Sequence, residues 1–243
     1  MSGALLQVSG VSKRFGGLQA LAGVSMNILP GTVTGIVGPN GAGKTTLFHV
    51  ISGFYPPDSG SVVFNGEDLT QSRPHVYARR GLARTFQITK PFARLTVLET
   101  VRIGALLREK NLAAASRSAY EVLERVGLAE RADALGKELT PIQRKRLEVA
   151  RALATKPRII LLDEVAAGLR PGEIREMVQL VRKLADDGLA VVMIEHVLEA
   201  VMSVSERIVV LCQGEKIAED TPKNIVRNRA VIDAYFGEVV PDA

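Results

Sequence analysis

The chain has 243 residues, 47% of them hydrophobic, and a formal net charge of +5. That is ample for a buried core in one α/β unit or two small ones, and no apolar run approaches the roughly 20 residues a membrane-spanning helix needs. Aromatic residues make up only 5% and Trp is absent, which argues against a base-stacking platform and a nucleic-acid partner. The start, MSGALLQVSG, lacks the basic segment, long apolar stretch and cleavage site of a signal peptide. The one cysteine, Cys212, cannot form an internal disulfide, which fits a reducing cytosol. It closes the apolar run 208–211 and is expected to be a buried structural thiol. The basic clusters Arg79/Arg80/Arg84 and Arg144/Lys145/Arg146 read as solvated helix faces.

Residues 5–15 and 18–29 read as strands, partly alternating and punctuated by Gly16-Gly17 and Pro30-Gly31. Val33–Val37 (VTGIV) is a short buried strand. It runs into Gly38-Pro39-Asn40-Gly41-Ala42-Gly43-Lys44-Thr45, which matches G-x-x-x-x-G-K-[ST], a loop whose backbone N–H groups wrap a nucleotide's phosphates. The glycines keep side chains away from the phosphate oxygens and allow positive φ. Lys44 supplies a cation for the β- and γ-phosphates and Thr45 a hydroxyl for Mg²⁺. Residues 46–51 open a helix whose N-terminus favours anions; His49 on it and His75 in a polar surface segment read as structural.

Pro56-Pro57-Asp58-Ser59-Gly60 is a turn and SVVFN (61–65) the strand after it. From about 96 to 153 the chain is helical: Ala119, Val122, Leu123 and Val126 fall at helical spacing, and Gly127 is a C-terminal stop. Three continuous apolar runs follow, 158–162, Ala190–Ile194 and 207–211, as strands buried on both faces require. Between the first two lies a helix with Ile174, Met177, Val178, Val181 and Leu184 on one side. Strands alternating with helices imply a parallel sheet with ligands at its carboxyl edge. The last stretch, 215–236, adds a strand and short helices around Pro222. The first of the three runs ends in Asp163-Glu164, two carboxylates that are costly at a buried strand end unless something there wants negative charge. Asp163 holding Mg²⁺ through water, with Glu164 polarising the attacking water, supplies that reason; a helix-capping acid pair is the plainer alternative. The second run ends in Glu195-His196, where His196 either donates to a γ-phosphate or meets a backbone carbonyl.

In order along the chain, GPNGAGKTT, the glutamine of RTFQ, LTPIQRKRLEVARAL, LLDE and IEH resemble the ATPase subunit of ATP-binding cassette (ABC) transporters. The resemblance spans essentially the whole chain. It implies a P-loop NTPase (RecA-like) α/β core with a mainly parallel sheet, an N-terminal antiparallel β subdomain and an inserted helical subdomain. The core with its β subdomain would occupy 1–95 and 154–243, and the helical part with the signature segment 96–153. ATP and Mg²⁺ are the implied cofactors. Two ATPase chains would sit head to tail, each site built from one chain's phosphate loop and the other's signature.

Residue by residue, the resemblance implies that Phe15 stacks on adenine. Gly38, Pro39, Asn40, Gly41, Ala42, Gly43, Lys44, Thr45 and Thr46 would hold the nucleotide, with Lys44 as phosphate clamp. Thr45, Gln87 and Asp163 would contact Mg²⁺, and Gln87 would also sense the membrane partner. Glu164 would be the general base and His196 would read the γ-phosphate. Two departures stand out. Where the signature is usually LSGGQ, this chain has Leu139-Thr140-Pro141-Ile142-Gln143. Thr140 and Gln143 would face the partner's site with Ile142 in place of a glycine, while Pro141 lacks an N–H donor, so the site receiving this segment is expected to hydrolyse slowly. Val165 follows Glu164 where proline is usual, with little expected effect on the chemistry.

Within the family, RTFQITKPFARLTVLETV, DEVAAGL, IEHVLEAVM and GEKIAEDTPKNIVRNRAVIDAYFGE resemble importer ATPases for branched-chain amino acids and related solutes. The implied partners are a second ATPase chain (a different one by this resemblance, a homodimer being the other option), two membrane permease subunits and an extracytoplasmic solute-binding protein. The implied location is the cytoplasmic face of the membrane, held peripherally. The competing readings are a lipid or lipopolysaccharide exporter's ATPase, a soluble non-transport ABC protein, and a binding-only module that has lost its ATPase.

Overall fold

A computed structural model describes residues 3–85, 92, 94–195 and 197–236. Alternating apolar residues build the first sheet. β1 (Leu6–Phe15) and β2 (Leu18–Ile28) pair antiparallel and turn Leu6, Val8 and Val11, with Val24, Met26 and Ile28, inward. The chain then enters the second sheet through β3 (Val33–Val37), leaves it by α1 (Lys44–Ile51), and returns to the first through β4 (Ser59–Phe64) and β5 (Glu67–Asp68). The helix α2 (Pro74–Arg80) and the short β6 (Leu82–Arg84) follow.

The stretch expected to be helical holds α3 (Val97–Ala105), α4 (Leu112–Val126) and α5 (Pro141–Leu153). Each start has a capping side chain. Thr96 and Glu99 cap α3 reciprocally, Asn111 Oδ1 accepts from the Ala114 N–H, and Thr140 with Gln143 caps α5. Gly127 ends α4 in the left-handed region, with φ 72°, as its place in the pattern predicts. β7 (Ile159–Asp163), α6 (Pro171–Asp186), β8 (Ala190–Ile194), α7 (Leu198–Val204) and β9 (Arg207–Cys212) then alternate, and β10 (Glu215–Asp220), α8 (Pro222–Ile225) and α9 (Arg229–Phe236) close the described chain.

Among the described residues the strands form a four-stranded antiparallel sheet, β2-β1-β4-β5, and a six-stranded sheet, β10-β9-β3-β8-β7-β6. The larger sheet is parallel except for β10, which pairs antiparallel with β9. β7, β8 and the middle of β9 are buried on both faces, which is why they read as unbroken apolar runs. Ile160, Leu162, Val191, Met193, Ile208 and Val210 pack toward the helices on one side. Ile159, Leu161, Val192, Ile194, Val209 and Leu211 pack on the other, against α1 and the first sheet. Cys212 departs from expectation. It is half-buried rather than enclosed, because it is the last residue of β9, opposite Glu215 where the β10 hairpin reaches the surface.

Candidate nucleotide site

β3, β8 and β7 are neighbours in the large sheet, with Ile36 opposite Ile194 and Ile194 opposite Asp163. Their carboxyl ends therefore deliver the glycine loop, Glu195 and the Asp163-Glu164 pair to one edge. The loop's conformation demands its glycines. Gly43, just before α1, has φ 98°, and a Cβ there would lie 2.5 Å from the Ala20 carbonyl oxygen. At Gly38 a Cβ would lie 2.1 Å from the Leu211 carbonyl oxygen. No side chain caps α1, so its first N–H groups open onto the loop, where an anion is favoured. Lys44 is buried, and its Nζ donates to the Gly38 and Pro39 carbonyls at 2.7 and 2.9 Å. Burial lowers its pKa below that of an ordinary lysine, and the negative charge of Glu164 partly opposes this.

A cleft of about 340 Å³ brings the expected residues together: Phe15, Asn40 through Thr46, and Glu164 all line it. Phe15 is 42% exposed rather than part of the core, with its ring edge-on to Tyr55 at 5.2 Å between centroids. Leu18, Gln19 and Ala20 from the start of β2 complete the wall. Nothing in their sequence pattern points to a ligand; their place follows from the β1–β2 hairpin folding over the loop. Thr140, Ile142 and Gln143 lie at the start of α5 and are not part of this cleft. Gln87 and His196 lie outside the described residues.

Asp163 is buried behind the cleft, and Arg84 Nη2 donates to its Oδ2 at 2.7 Å. The pair is shielded on both sides, 6% and 4% exposed. This corrects the reading of Arg84 as a solvated charge. β6 lies beside β7, and the Arg84 guanidinium also lies over the Phe48 and Phe54 rings at 5.6 and 5.7 Å. The 144–146 cluster is likewise engaged rather than solvated: Arg144 donates to the Lys137 carbonyl, Lys145 to the Glu164 carbonyl and Arg146 to the Glu176 carboxylate. Two of these partners are backbone carbonyls and one is the Glu176 carboxylate, 30 residues away, so the run of basic residues does not reveal them.

Two further residues reach the site. Glu195 is 2% exposed, its Oε1 accepts from the Ala166 N–H at 2.6 Å, and its Oε2 has no hydrogen-bond partner among the described residues. Its position one residue past the apolar run of β8 was the available signal. Tyr235 on α9 packs against the core; burial raises its phenol, and the Gly38 N–H beside the hydroxyl partly offsets this. For Glu195, burial is the main cause of a carboxyl pKa pushed up to about 7, helped by the charges of Glu164 and Asp163 and opposed by the Ala166 N–H and Lys145. A carboxyl raised above its unfolded 4.5 stabilises the fold fully below that value, and the contribution is lost as pH rises through about 7. The parent should therefore lose stability relative to Glu195→Gln between about pH 5 and pH 8 without nucleotide. Calorimetry would read this as a widening gap in Tm; a constant gap would show that Glu195 titrates like an exposed acid.

A glycine loop between a parallel strand and a helix, with carboxylates at the end of the next strand but one in the sheet, defines a phosphate-binding α/β protein. The family model described as "ABC transporter" matches residues 21–167, and that described as "Branched-chain amino acid ATP-binding cassette transporter" matches 215–241. The high-affinity branched-chain amino acid transport ATP-binding protein BraF of Pseudomonas aeruginosa is 39% identical, over 98% of this chain and 100% of its own length. LivG of Escherichia coli, of the same description, is 37% identical over the same shares. The ADP conformation of MJ1267, an ATP-binding cassette of an ABC transporter, superposes with a TM-score of 0.88 at 34% identity, covering 97% of this chain and 99% of that one. This chain belongs to the ABC transporter family. Within it, the chain is a nucleotide-binding ATPase.

Proposed function

We propose that the chain is the ATP-hydrolysing subunit of an importer for branched-chain amino acids. It works from the cytoplasmic face of the membrane, beside a second ATPase chain and separate permease subunits that receive solute from an extracytoplasmic binding protein. The observation that carries this reading is the match of residues 215–241, the tail that follows β9, to the model of branched-chain amino acid cassettes. That tail favours import over export of lipid. Among the described residues no helix is long and apolar enough to cross a membrane.

The cleft supports the roles of Phe15, Lys44, Thr45 and Glu164, and the resemblance supplies those of Gln87 and His196. Phe15, exposed at the cleft wall, stacks on the base. The N–H groups around Gly41–Thr46 and the Lys44 ammonium take the phosphates. Thr45 and Asp163 offer hard oxygen donors, with Gln87 as a third. Among the described residues no cluster of three His, Cys, Asp or Glu could cage a metal alone. That donor set suits Mg²⁺, which takes one or two protein oxygens and completes its shell with water and phosphate. When bound there the ion neutralises charge between the β- and γ-phosphates. Glu164 accepts the proton of the attacking water, and His196 meets the γ-phosphate. Thr140 and Gln143 present the start of α5 to the companion chain, although here each also caps that helix.

The test is to purify the chain with its companions from its native membrane and reconstitute them in vesicles. ATP-dependent accumulation of radiolabelled leucine, isoleucine or valine, lost in the Glu164→Gln complex, is the expected result. Accumulation of an amide or an aromatic acid but of none of these three would overturn the assignment of solute.

A further inference from the structure

We propose that Glu195 is a positioning residue for hydrolysis: from the tip of β8 its carboxyl fixes the turn at 164–167 and so aims the Glu164 side chain. The inference rests on the reading of Glu164 as the general base.

Glu164 has φ 51°, in the left-handed region. A residue with a Cβ persists there only when its surroundings over-determine the backbone. Here four bonds do so. The Glu164 N–H donates to the Ile194 carbonyl at 3.0 Å, and the Ala167 N–H to the Glu164 carbonyl at 3.3 Å. Lys145 Nζ donates to that same carbonyl at 2.7 Å, and the Ala166 N–H donates to Glu195 Oε1 at 2.6 Å. The last two residues before His196 thus pin the chain on both sides of the Glu164 side chain: Ile194 through its carbonyl, Glu195 through its carboxyl.

Among these bonds, the one to Glu195 is the side-chain contact made from within the sheet, and it is buried. Ala166 is itself 3% exposed, so its N–H has little access to water if the acceptor is removed. Lys145, which shares the Glu164 carbonyl, comes from α5 and brings positive charge toward Glu195. The turn is therefore referenced to the sheet by one charged side chain and to the helical layer by another. A base displaced by about 1 Å from its productive position loses up to roughly 100-fold in rate. The substrate contacts made by the glycine loop do not pass through this turn, so the loss should fall on turnover and not on nucleotide affinity.

The experiment compares Glu195→Ala, Glu195→Gln, Glu164→Gln and the Glu164→Gln/Glu195→Ala double variant in the native membrane complex, with kcat and KM for MgATP read separately. Glu195→Ala should lower kcat by roughly 10- to 100-fold with KM within about two-fold of the parent. Glu195→Gln keeps an oxygen for the Ala166 N–H and should recover most of that loss. In the Glu164→Gln background, Glu195→Ala should cost less than about two-fold more, because both changes act through one group. If the alanine variant does not assemble, Glu195→Met, which fills the volume without an acceptor, should show the same kcat loss.

An unchanged kcat in Glu195→Ala, a glutamine variant as slow as the alanine one, or a full multiplicative loss in the double variant would each overturn the inference. A parental rate in Glu164→Gln would overturn both the reading of Glu164 and this inference; a slow Glu164→Gln beside a normal Glu195→Ala would overturn the inference alone.

Discussion

Glu164→Gln is expected to slow ATP turnover by roughly 10²–10⁴-fold while leaving ATP binding intact, the usual range for removing a general base. The substitution is nearly isosteric, and the backbone bonds that hold residue 164, to Ile194, Ala167 and Lys145, do not use its side chain. The left-handed φ of 51° should therefore survive, and with it the shape of the cleft. What disappears is the carboxylate's ability to take a proton from water. Its charge also disappears; that charge holds the Lys44 pKa up against desolvation, so the phosphate cation should titrate slightly lower in the variant. Phosphate release at saturating MgATP, paired with equilibrium binding of the nucleotide, reads both arms. Turnover at the parental rate would remove Glu164 from the chemistry.

Lys44→Ala is expected to act on the other arm, weakening MgATP binding by roughly 10- to 100-fold, the worth of hydrogen bonds to a charged group. The ammonium already lies inside the loop, donating to the Gly38 and Pro39 carbonyls, so little reorganisation separates its present place from the phosphates. It carries three donors and two are used by the loop, which leaves one to meet an incoming oxygen without breaking either. Alanine removes the charge and the tie between the loop's first turn and α1 together. Titration calorimetry with MgATP measures the loss directly; an affinity equal to the parent's would mean that the backbone N–H groups alone account for binding. Together the two variants separate affinity at 44 from turnover at 164.

Much of this was readable from the residues. Ala190–Ile194 is a strand with the bounds its apolar run implies, because a strand buried on both faces has no polar positions to confuse the pattern, and Val33–Val37 keeps its expected bounds although it buries Thr34. The loop between β3 and α1 was legible because its glycines are forced by sterics that any phosphate cradle shares. Arg84 was not: its partner Asp163 lies 79 residues away, and only the pairing of β6 with β7 brings them together. Lys145 and Arg146 escaped for the same reason. Glu195 was visible at a strand end beside His196, yet its bond to Ala166 depends on how the chain turns after β7. The pattern Thr140-x-x-Gln143 carried a helix-capping signal that the comparison with a transporter signature obscured. In the folded chain those two side chains hold each other across the first turn, with Pro141 at a position where its missing N–H costs the helix nothing.

The contact between Tyr235 and the first glycine of the loop has a practical consequence. The end of α9 abuts the glycine bend at 38, so a bulky group inserted directly at the end of that helix would press on it. Kinetic constants gathered from such a preparation would describe the appendage as much as the enzyme.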